Sequence, residues 1–256
     1  LLERLMSIEI MGKLSSTGIA TILSSLAKLK CRHLQEGFVS SLFAQICKKA
    51  KSFSKQDVGN TLWAIAKLRP IISFKNTEDV AYAIQALEER CMQLKRLNIN
   101  DICNCIWAKA SMCTNILTRQ SIDNDGNQAI HEYVQFLINH LSKSIEEISA
   151  GQVAYLIWSF GKLSKFLPSG DKHIKTFTQL CHSDLKRSLA SMHGQNIGMV
   201  AFGLANMPIE NFVKKPNLME IQEGMHEHIQ RTIDVMTWQS IAHVDLYTRK
   251  YNNANA

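Results

Sequence analysis

One segment recurs along this chain, and it constrains the fold more than any other feature. SKQDVGNTLWAIAKL (54–68), NINDICNCIWAKASM (98–112), SAGQVAYLIWSFGKL (149–163) and HGQNIGMVAFGLANM (193–207) align without internal gaps, and SSTGIATILSSLAKL (15–29) fits the same frame. Taking the aromatic column as position 0, the copies carry Ser24, Trp63, Trp107, Trp158 and Phe202 there, at steps of 39, 44, 51 and 44 residues. A degenerate sixth copy begins near Thr237. A period of this length marks stacked supersecondary units, none of which can bury its apolar face alone.

Each column has a physical reading. Position −5 holds Ile19, Val58, Ile102, Val153 or Ile197; position −1 holds Leu23, Leu62, Ile106, Ile157 or Ala201; position +5 holds Leu29, Leu68, Met112, Leu163 or Met207. With the aromatic these form one apolar helical face. Position +3 is always small (Ala27, Ala66, Ala110, Gly161, Ala205), which lets a neighbouring helix come close. Position −9 holds Ser15, Ser54, Asn98, Ser149 or His193, mostly good N-caps, and Asp57, Asp101 and Gln152 follow three residues later as in a capping box.

Second amphipathic segments at 36–51, 78–96, 128–147, 172–190 and 218–232 separate these helices, and the connectors vary most at 113–127 and 164–171. The expected organisation is residues 1–14 as the end of a preceding repeat, repeats over 15–53, 54–97, 98–147, 148–191 and 192–232, and 233–256 as a degenerate repeat or C-terminal cap. The expected fold class is all-α, a right-handed α-solenoid of about five to six helical hairpins. Only 12 glycines and 4 prolines argue in the same direction, against an all-β chain full of tight turns.

The strings TLWAIAKL, CIWAKASM and LIWSFGKL resemble the octotricopeptide-type repeat, which is related to heptatricopeptide and FAST-kinase-like, RAP-associated repeats. The resemblance runs over roughly residues 15 to 232 and is most specific at the Trp-Ala core of the second and third copies. It implies a solenoid that binds RNA in mitochondria, or alternatively in plastids, acting in RNA processing, stability or translation, in some cases as part of an organellar ribosome with ribosomal proteins as neighbours. No C-terminal RAP domain is visible, so no nuclease-like activity is carried over.

Helical spacing places positions −6, −3, +1 and +4 on the face away from the apolar stripe. These are Gly18, Thr21, Ser25 and Lys28; Asp57, Asn60, Ala64 and Lys67; Asp101, Asn104, Ala108 and Ser111; Gln152, Tyr155, Ser159 and Lys162; and Asn196, Met199, Gly203 and Asn206. Stacked helices would align such stripes, and helical repeats that read single-stranded RNA offer two or three side chains per base from one. Asn60, Asn104, Tyr155 and Asn206 are thus candidates for bases, Lys28, Lys67 and Lys162 for phosphates, and Asp57, Asp101 and Gln152 for further contacts. Each has a plainer reading. Any amphipathic helix has a solvated face, the capping box accounts for Asp57, Asp101 and Gln152, and the aromatics of position 0 read as core.

Lys plus Arg exceeds Asp plus Glu by 29 − 22 = 7, a surplus compatible with a polyanion. Further basic groups, Lys48, Lys49 and Lys51, Lys172, His173 and Lys175, Lys186 and Arg187, and Lys214 with Lys215, read as solvated ends or as auxiliary backbone contacts. Seven cysteines (31, 47, 91, 103, 105, 113 and 181) include no CxxC pair and read as small core residues of a reducing compartment. Asp123, Asp125 and Gly126 imitate a calcium loop, but Gln128 and Val134 break it; His226 and His228 diverge on a helix. No GxxxxGK, GxSxG or HExxH string appears, and no apolar run reaches membrane-spanning length. No enzyme, cofactor or membrane is therefore expected. An RNA-binding repeat protein and a protein-binding α-solenoid scaffold without RNA remain as alternatives; the Asn, Ser, Lys and Tyr of the polar stripe favour the first.

Overall fold

The computed structural model describes residues 8–31, 34–69, 77–116, 124–143, 148–167, 187–207 and 215–254, with 177 and 185 as isolated positions. These residues form eleven α-helices and no strand. They are α1 (Ile8–Lys13), α2 (Ser16–Lys28), α3 (Glu36–Lys49), α4 (Lys55–Leu68), α5 (Thr77–Met92), α6 (Ile99–Ile116), α7 (Asn124–Leu141), α8 (Ala150–Leu163), α9 (Gly194–Asn206), α10 (Lys215–Thr232) and α11 (Trp238–Ala254). The recurrent segments are α2, α4, α6, α8 and α9, here called front helices, and α11 takes the same place for the degenerate copy. Most of the amphipathic segment at 172–190 and about half of each connector lie outside the described residues, as do Lys172, His173, Lys175, Cys181, Lys186 and Lys214.

Local chemistry starts these helices where the sequence says. Ser54 and Asp57 form a reciprocal capping box on α4, and Ser149 and Gln152 form another on α8. On α6 the Asn98 side chain accepts from the Asp101 N–H at 2.9 Å while Asp101 accepts from the Asn98 N–H at 3.3 Å. Ser15 caps α2 through the Gly18 N–H, and Thr237 caps α11 through the Ser240 N–H. His193 provides no side-chain cap to α9.

The chain divides into two compact units, Leu1–Met112 and Cys113–Ala256. In the first, α2 packs on α4, α3 packs on α1 and α5, and hairpin partners touch. In the second, α9 lies between α8 and α11, with α10 against α9. Positions −5, −1 and +2 supply the core of both: Ile19, Leu23 and Leu26; Val58, Leu62 and Ile65; Val153, Ile157 and Phe160; Ile197, Ala201 and Leu204. Each large side chain withdrawn this way contributes about 1.5–3 kcal/mol. In α6 position +2 is Lys109, whose ammonium meets Glu88 of α5 at 2.8 Å with both side chains mostly buried. Position +5 is buried in Leu68, Met112, Leu163 and Met207, but Leu29 is 74% exposed. The reason is local: α2 ends there in a Schellman turn, with Lys30 N–H bonding Ala27 O and Cys31 N–H bonding Leu26 O.

Successive front helices within each unit come together at small residues. A Cβ on Gly59 (−4) would lie 3.3 Å from the Asp101 Cα (−6), and one on Gly198 (−4) would lie 2.6 Å from the Ser240 Cα (−6). Gly161 (+3) stands against Gly203 (+1), and the Ser164 hydroxyl (+6) donates to the Asn206 carbonyl (+4) at 2.9 Å. The small residues at +3 therefore permit close approach, as their pattern implies.

Candidate nucleic-acid interface

This packing decides which columns remain outside. Position +1, expected on the polar face, is buried in Ala64, Ala108, Ser159 and Gly203, and Gly203 meets Ile157 of the preceding front helix in its unit. Only Ser25 of α2 is exposed there. Position −6 is drawn in by the same packing. Asp57 and Asp101 are 7% and 3% exposed, and each carboxylate is engaged by its own helix cap. Asp57 also accepts the Thr17 hydroxyl of α2 at 3.1 Å. Burial pushes the Asp101 carboxyl above its ordinary range, against the opposing Asn98 N–H bond and the charge of Lys55. These two aspartates leave the candidate surface. Gln152 is half-buried and accepts the Ser149 N–H at 2.7 Å, so it too serves first as a cap.

What stays outside is the stripe −7, −3, 0 and +4. At −3, Asn60 and Asn104 are both half-buried and hydrogen-bond across the seam between α4 and α6, Nδ2 to Oδ1 at 3.3 Å. Tyr155 of α8 is half-buried at the same position. At +4, Lys28 and Lys67 are exposed, while Lys162 is half-buried. Asn206 turns back on α9, its Nδ2 donating to the Phe202 carbonyl at 2.8 Å.

No protein-family model matches this chain, and no curated protein sequence matches it.

The aromatics of position 0 form the rim of this stripe rather than a closed core. Trp107 is 8% exposed, but Trp63, Trp158 and Phe202 are only half-buried. Lysines cover them. The Lys67 ammonium of α4 stands 4.6 Å over the Trp107 ring of the next front helix. Lys162 stands 4.5 Å over Trp158 and 6.0 Å over Phe202, again the aromatic of the next front helix. Trp158 and Phe202 are 6.1 Å apart, and Phe202 meets His243 of α11 at 4.8 Å. Such cation–π contacts hold an ammonium at a fixed place while leaving donors for another partner. Partial loss of water lowers the Lys67 and Lys162 pKa values from the ordinary lysine range, and the charge of Lys30 lowers Lys67 further.

The sequence reading missed two parts of this stripe. Position −7 is one turn from −3 and carries exposed Thr17, Gln56, Asn100 and Gln195, three of them side-chain hydrogen-bonding groups of the amide type. The i, i+4 spacing was the available signal. Position 0 belongs to the stripe through the same geometry, being three from −3 and four from +4. Among the basic groups outside it, Lys49 is occupied in closing α1, its ammonium on the Gly12 and Leu14 carbonyls. His228 contacts the Met192 carbonyl at 2.7 Å, and His226 contacts Gln230. Among the described residues no cluster of His, Cys, Asp or Glu could hold a metal, and no helix is long and apolar enough to cross a membrane.

Proposed function

We propose that this chain is an RNA-binding helical-repeat protein of the octotricopeptide type, folded as a right-handed α-solenoid and not an enzyme. Its stripe of front-helix side chains holds single-stranded or ribosomal RNA in a mitochondrion, where it stabilises RNA or serves translation as a component of the ribosome. One observation carries this reading above the others: in each unit a position +4 lysine is posted on the aromatic rim where two front helices meet, Lys67 on Trp107 and Lys162 on Trp158 and Phe202. Amides share the stripe with those ammoniums, Asn60 with Asn104 in one unit and Asn206 in the other, and Tyr155 lies one turn from Trp158. Ammoniums suit phosphates, whereas amides and a tyrosine suit base edges and faces, so the chemistry is that of a backbone track with base contacts beside it. An acidic peptide partner would use the lysines alone.

Binding of labelled single-stranded RNA by the full chain across a potassium chloride series tests this. The triple substitution of Lys28, Lys67 and Lys162 by alanine should make the log–log slope shallower by about 2, at about 0.7 per lost phosphate contact, with the helical circular dichroism unchanged. A wild-type chain that binds no RNA even at low salt overturns the proposal, and an unchanged slope removes the stripe from it. Recovery of ribosomal RNA with the purified protein separates the ribosomal role from that of a factor for one messenger.

A further inference from the structure

We propose that the rings of Trp158, Phe202 and His243, with the Lys162 ammonium over the first two, form a stacking site for an unpaired nucleobase of the bound strand. The inference rests on the RNA reading above and deepens it, because the aromatic rim itself takes a base. Three successive front helices of the second unit contribute one ring each: Trp158 from α8, Phe202 from α9 and His243 from α11. Trp158 and Phe202 have centroids 6.1 Å apart, Phe202 and His243 4.8 Å apart, and all three side chains are half-buried. Lys162 stands 4.5 Å over the first ring and 6.0 Å over the second. Leu246, one turn beyond His243 on the same side of α11, is 46% exposed and adds apolar area there. Contiguous apolar surface rimmed by polar groups marks a ligand site, whereas rings scattered singly need no explanation.

The helices beneath these rings are locked together at the level of the backbone. A Cβ on Gly203 would lie 2.6 Å from the Ile157 carbonyl carbon, and one on Gly198 would lie 2.6 Å from the Ser240 Cα, so α9 is in close contact with α8 on one side and α11 on the other. A ring surface held in place this way costs a ligand little ordering. Trp107 in the first unit shows what packing alone makes of the same column: it is 8% exposed, and Lys67 stands over a ring nearly closed to water. Packing accounts for that tryptophan, but not for three neighbouring rings left half in water. A nucleobase answers both halves of the site, since its flat face covers the rings while its own phosphate meets the ammonium. An apolar partner helix brings no anion, and an acidic peptide brings no flat face. Purines offer more ring than pyrimidines, so the site favours them modestly.

The test uses the full chain, a labelled oligoadenylate and an abasic oligomer of the same length, which keeps the phosphates and lacks the bases. Wild type should bind the oligoadenylate at least about 5-fold more tightly than the abasic oligomer, the lower end of what one stacked base contributes. Phe202→Leu keeps an apolar side chain and removes the ring; it should weaken oligoadenylate binding about 5-fold while leaving both the salt slope and the abasic affinity unchanged. Lys162→Met should do the reverse, making the slope shallower by about 0.7 with either oligomer. Oligoadenylate should also quench the tryptophan emission of wild type, and Trp158→Phe, which keeps a ring, should bind as before with most of that quenching lost. Equal affinity of wild type for the two oligomers overturns the stacking site and leaves the RNA reading standing on phosphates alone. A folded Phe202→Leu protein with wild-type affinity overturns it too, as does quenching that persists in Trp158→Phe or a Phe202→Leu loss that alters the salt slope. If wild type binds neither oligomer at low salt, both readings fall.

Discussion

Replacing Gly203 by alanine adds one methyl group at the tightest point between α8 and α9. A Cβ there would press into the Ile157 carbonyl oxygen and lie 2.6 Å from the carbonyl carbon and 2.7 Å from the Ile157 Cγ2. Ordinary carbon contacts are about 3.5–4.0 Å, so the two helices must part by about 1 Å over their shared face. The obstacle is backbone, which cannot rotate away as a long side chain does, so the cost belongs at the upper end of the about 1–3 kcal/mol typical of overpacking. Helix propensity returns about 1 kcal/mol when a helical glycine becomes alanine, which leaves a net loss of about 2 kcal/mol. Gly151, in the first turn of α8, supplies the control in the same unit. A Cβ there meets nothing nearer than the Asn196 Nδ2 at 3.8 Å, so Gly151→Ala should gain stability by up to about 1 kcal/mol from propensity alone. Urea unfolding followed by circular dichroism would read both variants against wild type. A Gly203→Ala protein as stable as wild type refutes the close contact, and with it the packing that buries position +1.

Two further outcomes follow from groups inside the units. Glu88→Gln removes the carboxylate beside the mostly buried Lys109 ammonium, and should destabilise by about 3–5 kcal/mol in urea titration, whereas changing both residues to methionine should recover most of that loss. Burial against Phe202 lowers the His243 pKa from its ordinary value of 6.5. The unfolded chain therefore takes up the proton more readily than the folded one, so the stability linked to His243 is present above pH 6.5 and is lost as pH falls through and below that value. His243→Phe should keep the ring contact and flatten the fall in melting temperature between neutral and mildly acidic pH; an unaltered profile excludes His243 as its source.

Much of this protein was legible in the sequence, for reasons internal to each helix. Ser54 with Asp57, Asn98 with Asp101 and Ser149 with Gln152 announce helix starts because the capping partners are three residues apart on one segment. The apolar columns at −5 and −1 announce the core side because helical periodicity alone places them together. The small residue at +3 announces a close neighbour because nothing else repeats so strictly. All of these are local facts, and a lone helix would already possess them.

The tertiary structure decided what lies on the flanks. Periodicity groups residues by face, but it does not say how many faces another helix will cover, nor at what offset. Front helices pack on one another inside each unit, and positions −6 and +1 are drawn inward with Asp57, Asp101, Ala64, Ala108, Ser159 and Gly203. The exposed band narrowed and shifted to −7, −3, 0 and +4, which moved Trp158 and Phe202 from presumed core to rim and set lysines on them. The closeness of neighbouring helices is fixed by the fit of glycine and alanine backbones against each other, a property of pairs of helices that no single segment carries.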